Sequence, residues 1–153
     1  MLFLFVCAII VSLLYFYLQK QPITTIKYNN TILVFRVDIR QARQIPVYGS
    51  LPDFSNISNV TIVYVNTSDL QYVALQSFMI TFNLKRIYRN LSISAQEVND
   101  FILENGTFIA ILPPSIANES AVRVLDNTIF ISGKTSYELD LATTKFILAL
   151  LNI

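Results

Sequence analysis

The chain has 153 residues, with 11 lysines and arginines against 10 aspartates and glutamates, no histidine, no tryptophan and one cysteine; its mean hydropathy is +0.53. Without histidine it lacks the commonest general base, the usual metal ligand and the side chain that titrates near neutral pH. The balanced charge gives no footprint for nucleic acid, and Cys7, standing alone, forms no disulfide within the chain.

Met1 to Leu18 reads MLFLFVCAIIVSLLYFYL, without a charge. As a helix it reaches about 27 Å, enough for a thin hydrocarbon core. Tyr15, Phe16 and Tyr17 suit the interfacial aromatic belt, and Lys20 the headgroups. No basic residue precedes the run and no small-residue cleavage site follows it. The segment therefore reads as a retained single-pass anchor, in contact with membrane lipid through residues 1–18, in preference to a cleaved signal. Lys20 is a weak vote for a cytoplasmic domain; the sequons described below outweigh it.

Residues 19–31 read as a polar juxtamembrane linker, with Pro22 stopping the helix. Ile32 to Ile39 is a strand by its β-branched and aromatic content, with Ile45 to Tyr48 as a short partner. Gly49 to Asn59 is turn chemistry. Val60 to Val65 is a strand, followed by a helix capped at Ser68 and running to Phe82, with Leu70, Val73, Ala74 and Phe78 expected inward. Leu84 to Arg89 reads as the next strand. Ser94 to Glu97 is a capping box that opens a helix ending near Gly106. Thr107 to Leu112 is a strand ended by Pro113 and Pro114; Ala121 to Leu125 is an edge piece and Thr128 to Ser132 the last strand. A second capping box, Thr135 to Glu138, opens a final helix to about Asn152. Strands alternating with helices join best through right-handed crossovers, which predicts an N-terminal transmembrane helix and one small extracytoplasmic α/β domain over residues 32–153 with a mostly parallel sheet. The alternative is a β-rich sandwich.

Seven of the twelve asparagines stand in Asn-x-Ser/Thr sequons: Asn29, Asn56, Asn59, Asn66, Asn90, Asn105 and Asn118. At this serine and threonine content chance gives about two, so the excess marks N-glycan acceptors and an extracytoplasmic domain. Dense sequons without disulfides are unlike the ectodomains of animal cells and suit archaeal surface proteins and their viruses.

The carboxylates form no close cluster, and Glu97 and Glu138 are assigned to capping boxes. Gly133-Lys134-Thr135 has the ending of a phosphate loop, but Thr128 stands where that loop needs its first glycine. Arg36, Arg40 and Arg43 read as a solvated rim near lipid headgroups, and Lys85, Arg86 and Arg89 as guards of a strand edge. With no catalytic, cofactor-binding or metal constellation in the sequence, the expectation is a non-enzymatic accessory or structural subunit of a membrane or cell-surface assembly, bound to other protein subunits and carrying N-glycans. The alternatives are a ligand-binding or carbohydrate-processing ectodomain, and a virion or filament subunit with the N-terminal helix in its core. The last helix is apolar on two sides, and the stripe Leu141, Thr144, Leu148 and Leu151 is the expected partner interface, against a reading in which it is buried within the domain.

Overall fold

The computed structural model describes residues 23–103 and 105–153. The expected anchor at residues 1–18 lies outside them, and among the described residues no helix is long and apolar enough to cross a membrane.

The described chain begins in an antiparallel hairpin, with β1 (Thr24–Tyr28) where a linker was expected and β2 (Thr31–Phe35) on the first half of the expected strand Ile32 to Ile39. Its two-residue turn is Asn29-Asn30, with φ of 43° and 63°. A type I′ turn needs two left-handed residues in succession, and asparagine tolerates that conformation better than other side chains. The alternation of TTIKY and TILVF around Asn-Asn is the signal for this hairpin.

A short helix α1 (Ile39–Ala42), β3 (Val47–Tyr48) and a 3-10 turn at Phe54–Asn56 lead into β4 (Asn59–Tyr64), α2 (Leu70–Ile87), β5 (Ser92–Glu97), β6 (Phe108–Leu112), β7 (Ala121–Leu125), β8 (Thr128–Ser132) and α3 (Ser136–Leu151). Six strands form one sheet in the order β3-β7-β8-β6-β4-β5. Only the β7–β8 pair is antiparallel, so the expected α/β class with a mostly parallel sheet holds. The expected partner of Ile45–Tyr48 was the strand before it; β3 pairs instead with β7, in parallel.

Alternate residues of the central strands, among them Ile62, Ile109, Ile111, Ile129 and Ile131, are at most 1% exposed and join one core with α2 and α3. The hairpin forms a third layer over these helices. Asn83 of α2 holds it by accepting from the Val34 N–H and donating to the Val34 carbonyl, both at 3.0 Å. Arg86 adds a 2.7 Å bond to the Ile32 carbonyl.

Four local expectations are corrected by this packing. Leu84 to Arg89 is not a strand: α2 continues through Leu84 to Ile87, because Val73, Ile80 and Leu84 keep one helical spacing and all are buried. On α2 only Val73 of the four residues expected inward is buried; Leu70 and Phe78 are exposed, because the inward face runs through the polar Gln76 and Asn83. Ser94 to Glu97 lies in strand β5 and caps nothing, since six residues of parallel pairing with β4 outweigh the local helix signal. The stripe Leu141, Thr144, Leu148 and Leu151 of α3 is 8%, 4%, 1% and 8% exposed. With α2 and α1 alongside α3 and the sheet beneath it, these residues are interior and not an interface.

The last helix starts and stops as its sequence dictates. Thr135 caps it by accepting from the Glu138 N–H at 3.1 Å, and Asn152 ends it in the left-handed conformation at φ 55°. Glu138 does not close the capping box; its carboxylate accepts from the Ser120 hydroxyl at 2.7 Å. Gly133 is needed for close approach, because a Cβ there would stand 2.2 Å from the backbone nitrogen of Leu139. That contact gives the Gly-Lys-Thr tripeptide a packing role at the β8–α3 junction.

Candidate functional site

All seven sequon asparagines are exposed. Asn83, which has no sequon, is 1% exposed and holds the hairpin. Each sequon asparagine is thus open to solvent, as a transferase would require.

Their placement differs from the sequence expectation in one respect. Asn90 was expected after a strand, at the carboxyl rim of the sheet; because α2 runs to Ile87, Asn90 precedes β5 and stands at the amino rim. Asn56 and Asn105 precede β4 and β6, and Asn59 opens β4, at that same rim. Asn29, at the hairpin tip, is beside it, since its neighbours Asn30 and Thr31 share a depression with Lys85, Arg86 and Arg89 at the end of α2. Asn56 and Asn90 line one cleft of about 380 Å³. Only Asn66, after β4, and Asn118, after β6, lie toward the carboxyl rim. The sequon asparagines are therefore concentrated on one end of the sheet.

The basic clusters do other work than expected. Arg36 is not at a solvated rim: it is 3% exposed, with its guanidinium 3.8 Å from the carboxylate of Asp140. Arg40 does stand in solvent, paired at 3.2 Å with Asp38. Lys85 lies on α2 and not at a strand edge, and donates to the Leu91 carbonyl at 2.7 Å. Arg86 covers the ring of Phe82 at 4.3 Å. Cations in the last helical turn complement the helix dipole and satisfy carbonyls left without helical partners.

Arg36, Asp140 and Gln76 form a buried polar node where the hairpin meets α2 and α3. The Gln76 amide donates to Asp140 at 2.5 Å, and the space between these residues is only about 10 Å³, the room of one water. Burial pushes the Asp140 carboxyl above its ordinary range, while Gln76 and Arg36 act against that rise. The node is closed to solutes and ties three layers together.

Three further carboxylates hold loops or short turns. Asp69 does not cap α2 through its side chain; it accepts from the Ser115 N–H at 2.8 Å and so fastens the loop after β6 to the start of that helix. Asp53 is held below the usual carboxylate range by its bonds from Ser55, and Asp38 by those from Arg40. Among the described residues no three metal-ligating side chains come together. No family model matches the chain, and neither a curated protein nor a solved structure is significantly similar to it.

Proposed function

We propose that this chain is a membrane-anchored, N-glycosylated accessory or structural subunit of a membrane or cell-surface assembly, and that it is not an enzyme. The observation that carries the reading is the excess of sequons, each with its asparagine exposed. The uncharged run at residues 1–18 supplies the anchor. Residues 19–22 separate it from Ile23, and even fully extended they let the domain stand off by no more than about 18 Å.

That short tether orients the domain. Ile23 enters the hairpin at the end opposite the Asn29 tip, at the level of Phe35 and Arg36. The crown formed by Asn29, Asn56, Asn59, Asn90 and Asn105 then points away from the bilayer, and the carboxyl rim faces the lipid. Glycans at Asn66 and Asn118 flank that rim, where a parallel α/β sheet ordinarily opens a small-molecule pocket. A structural role fits this arrangement better than catalysis.

An alkaline carbonate wash, followed by native-size analysis in mild detergent, tests the reading. The chain is expected to stay in the membrane pellet and then to migrate with other subunits, well above its monomer mass. Release by carbonate, or a lone monomer after gentle extraction, would contradict it.

A further inference from the structure

The sheet face opposite the helices carries an apolar groove of about 180 Å³, and Asn118 stands on its wall. Phe130, Leu112 and Ile116 line the groove together with Leu125, which is 53% exposed. The β6–β8 and β7–β8 registers put Leu112 beside Ser132 and Arg123 beside Phe130, so these side chains share the face turned away from the helices. Polar groups rim it: Arg123 is paired with Glu119 at 2.6 Å and lies 4.5 Å over the Tyr48 ring.

We propose that this groove seats the first sugars of an N-glycan attached at Asn118. A pyranose ring has one apolar face of C–H groups and a girdle of hydroxyls. Phe130 and Leu125 match the first, and the Glu119–Arg123 pair matches the second. At about 180 Å³ the groove has room for one sugar ring. Because the attachment asparagine is part of the wall, the tether supplies a high effective concentration, and weak contacts suffice. The cleft shared by Asn56 and Asn90 differs, since its Phe54 and Leu91 are already 1% and 2% exposed and offer a sugar little apolar surface.

This inference rests on the reading that the sequons are occupied, and its test separates the two. The full-length chain is produced in an N-glycosylating host, purified in mild detergent and mapped for occupancy at Asn118. Melting temperatures then close two double-mutant cycles, Asn118→Gln with Phe130→Ala and Asn118→Gln with Leu125→Ser, the second at an exposed position that tolerates change. Both cycles are repeated on chain made in a host without N-glycosylation. Each cycle should show a coupling of at least about 2 °C in the glycosylated chain and additivity in the bare one. Additivity in a chain whose Asn118 is occupied overturns the seat and leaves the glycosylation reading intact. Coupling of equal size in the bare chain assigns the effect to the asparagine side chain and also overturns it. An unoccupied Asn118 removes both readings at this site, and the groove is then open to a protein partner.

Discussion

Placing a charge on α3 through Leu148→Asp should unfold the domain, and should do so at least as thoroughly as Phe146→Ala. Phe146 is fully buried and packs edge-on to Phe54 with 6.1 Å between centroids, so its truncation costs the lost transfer energy and a cavity, about 3–5 kcal/mol together. Leu148 is 1% exposed. An aspartate there loses the same apolar contacts and buries a carboxylate without a partner, which adds several kcal/mol. For a domain whose stability is of the order of 5–15 kcal/mol, either change removes a large part of it. Chemical denaturation of the full-length chain in detergent measures both. A Leu148→Asp protein as stable as the wild type would return that stripe to the surface and restore the interface reading.

A second large effect belongs to the Arg36–Asp140 node. Deleting one member of a buried ion pair typically costs 3–5 kcal/mol, because the other stays buried without that counter-charge. The two single changes should differ. Asp140→Asn leaves a guanidinium that does not deprotonate, whereas in Arg36→Met the abandoned carboxyl can take up a proton and reduce its penalty. Asp140→Asn is therefore expected to be the more damaging at pH 7. The double replacement Arg36→Met with Asp140→Leu, which fills the site with apolar groups of similar volume, should recover most of the loss. A double variant as unstable as the worse single would show that the node does more than neutralise its own charges.

The same node sets a pH dependence whose sign follows from linkage. Burial raises the Asp140 pKa above its unfolded value of 3.8, so the folded state holds more protons between those two values. Stability from this group is full below pH 3.8 and is lost as pH rises through the folded pKa. Asp38 and Asp53 are shifted downward and act in the opposite sense, their contribution being lost as pH falls below 3.8. Removing the cation raises the Asp140 pKa further, so Arg36→Met should lose more stability than the wild type as pH rises above 3.8.

These effects bear on what can be read from one sequence. Strands β4, β6, β7 and β8 were legible because each is a short β-branched run closed by turn residues, and α3 was legible from Thr135 and the two-sided apolar pattern after it. The register of α2 was not, because its core face contains Gln76 and Asn83. Both are inward because Asp140 and the Val34 backbone satisfy them, and those partners are 64 and 49 residues away. Strand β5 was hidden for a related reason: SISAQE is a polar edge strand whose capping-box spacing points to a helix, and only its pairing with β4 decides the matter. The sequons can be read directly, since each is a local motif. Their gathering at one rim cannot, because it depends on where α2 ends and on a hairpin turn at Asn29-Asn30. The groove beside Asn118 is built from three strands and the loop between β6 and β7, and its shape follows from their pairing.

Site-resolved glycopeptide mapping of the protein from its native membrane is the most direct measurement of the central claim, which is that this domain faces away from the cytoplasm. Glycan is expected at most of Asn29, Asn56, Asn59, Asn66, Asn90, Asn105 and Asn118, and none at Asn83. Bare asparagines at five or more of the seven positions would put the domain on the cytoplasmic side and contradict the account.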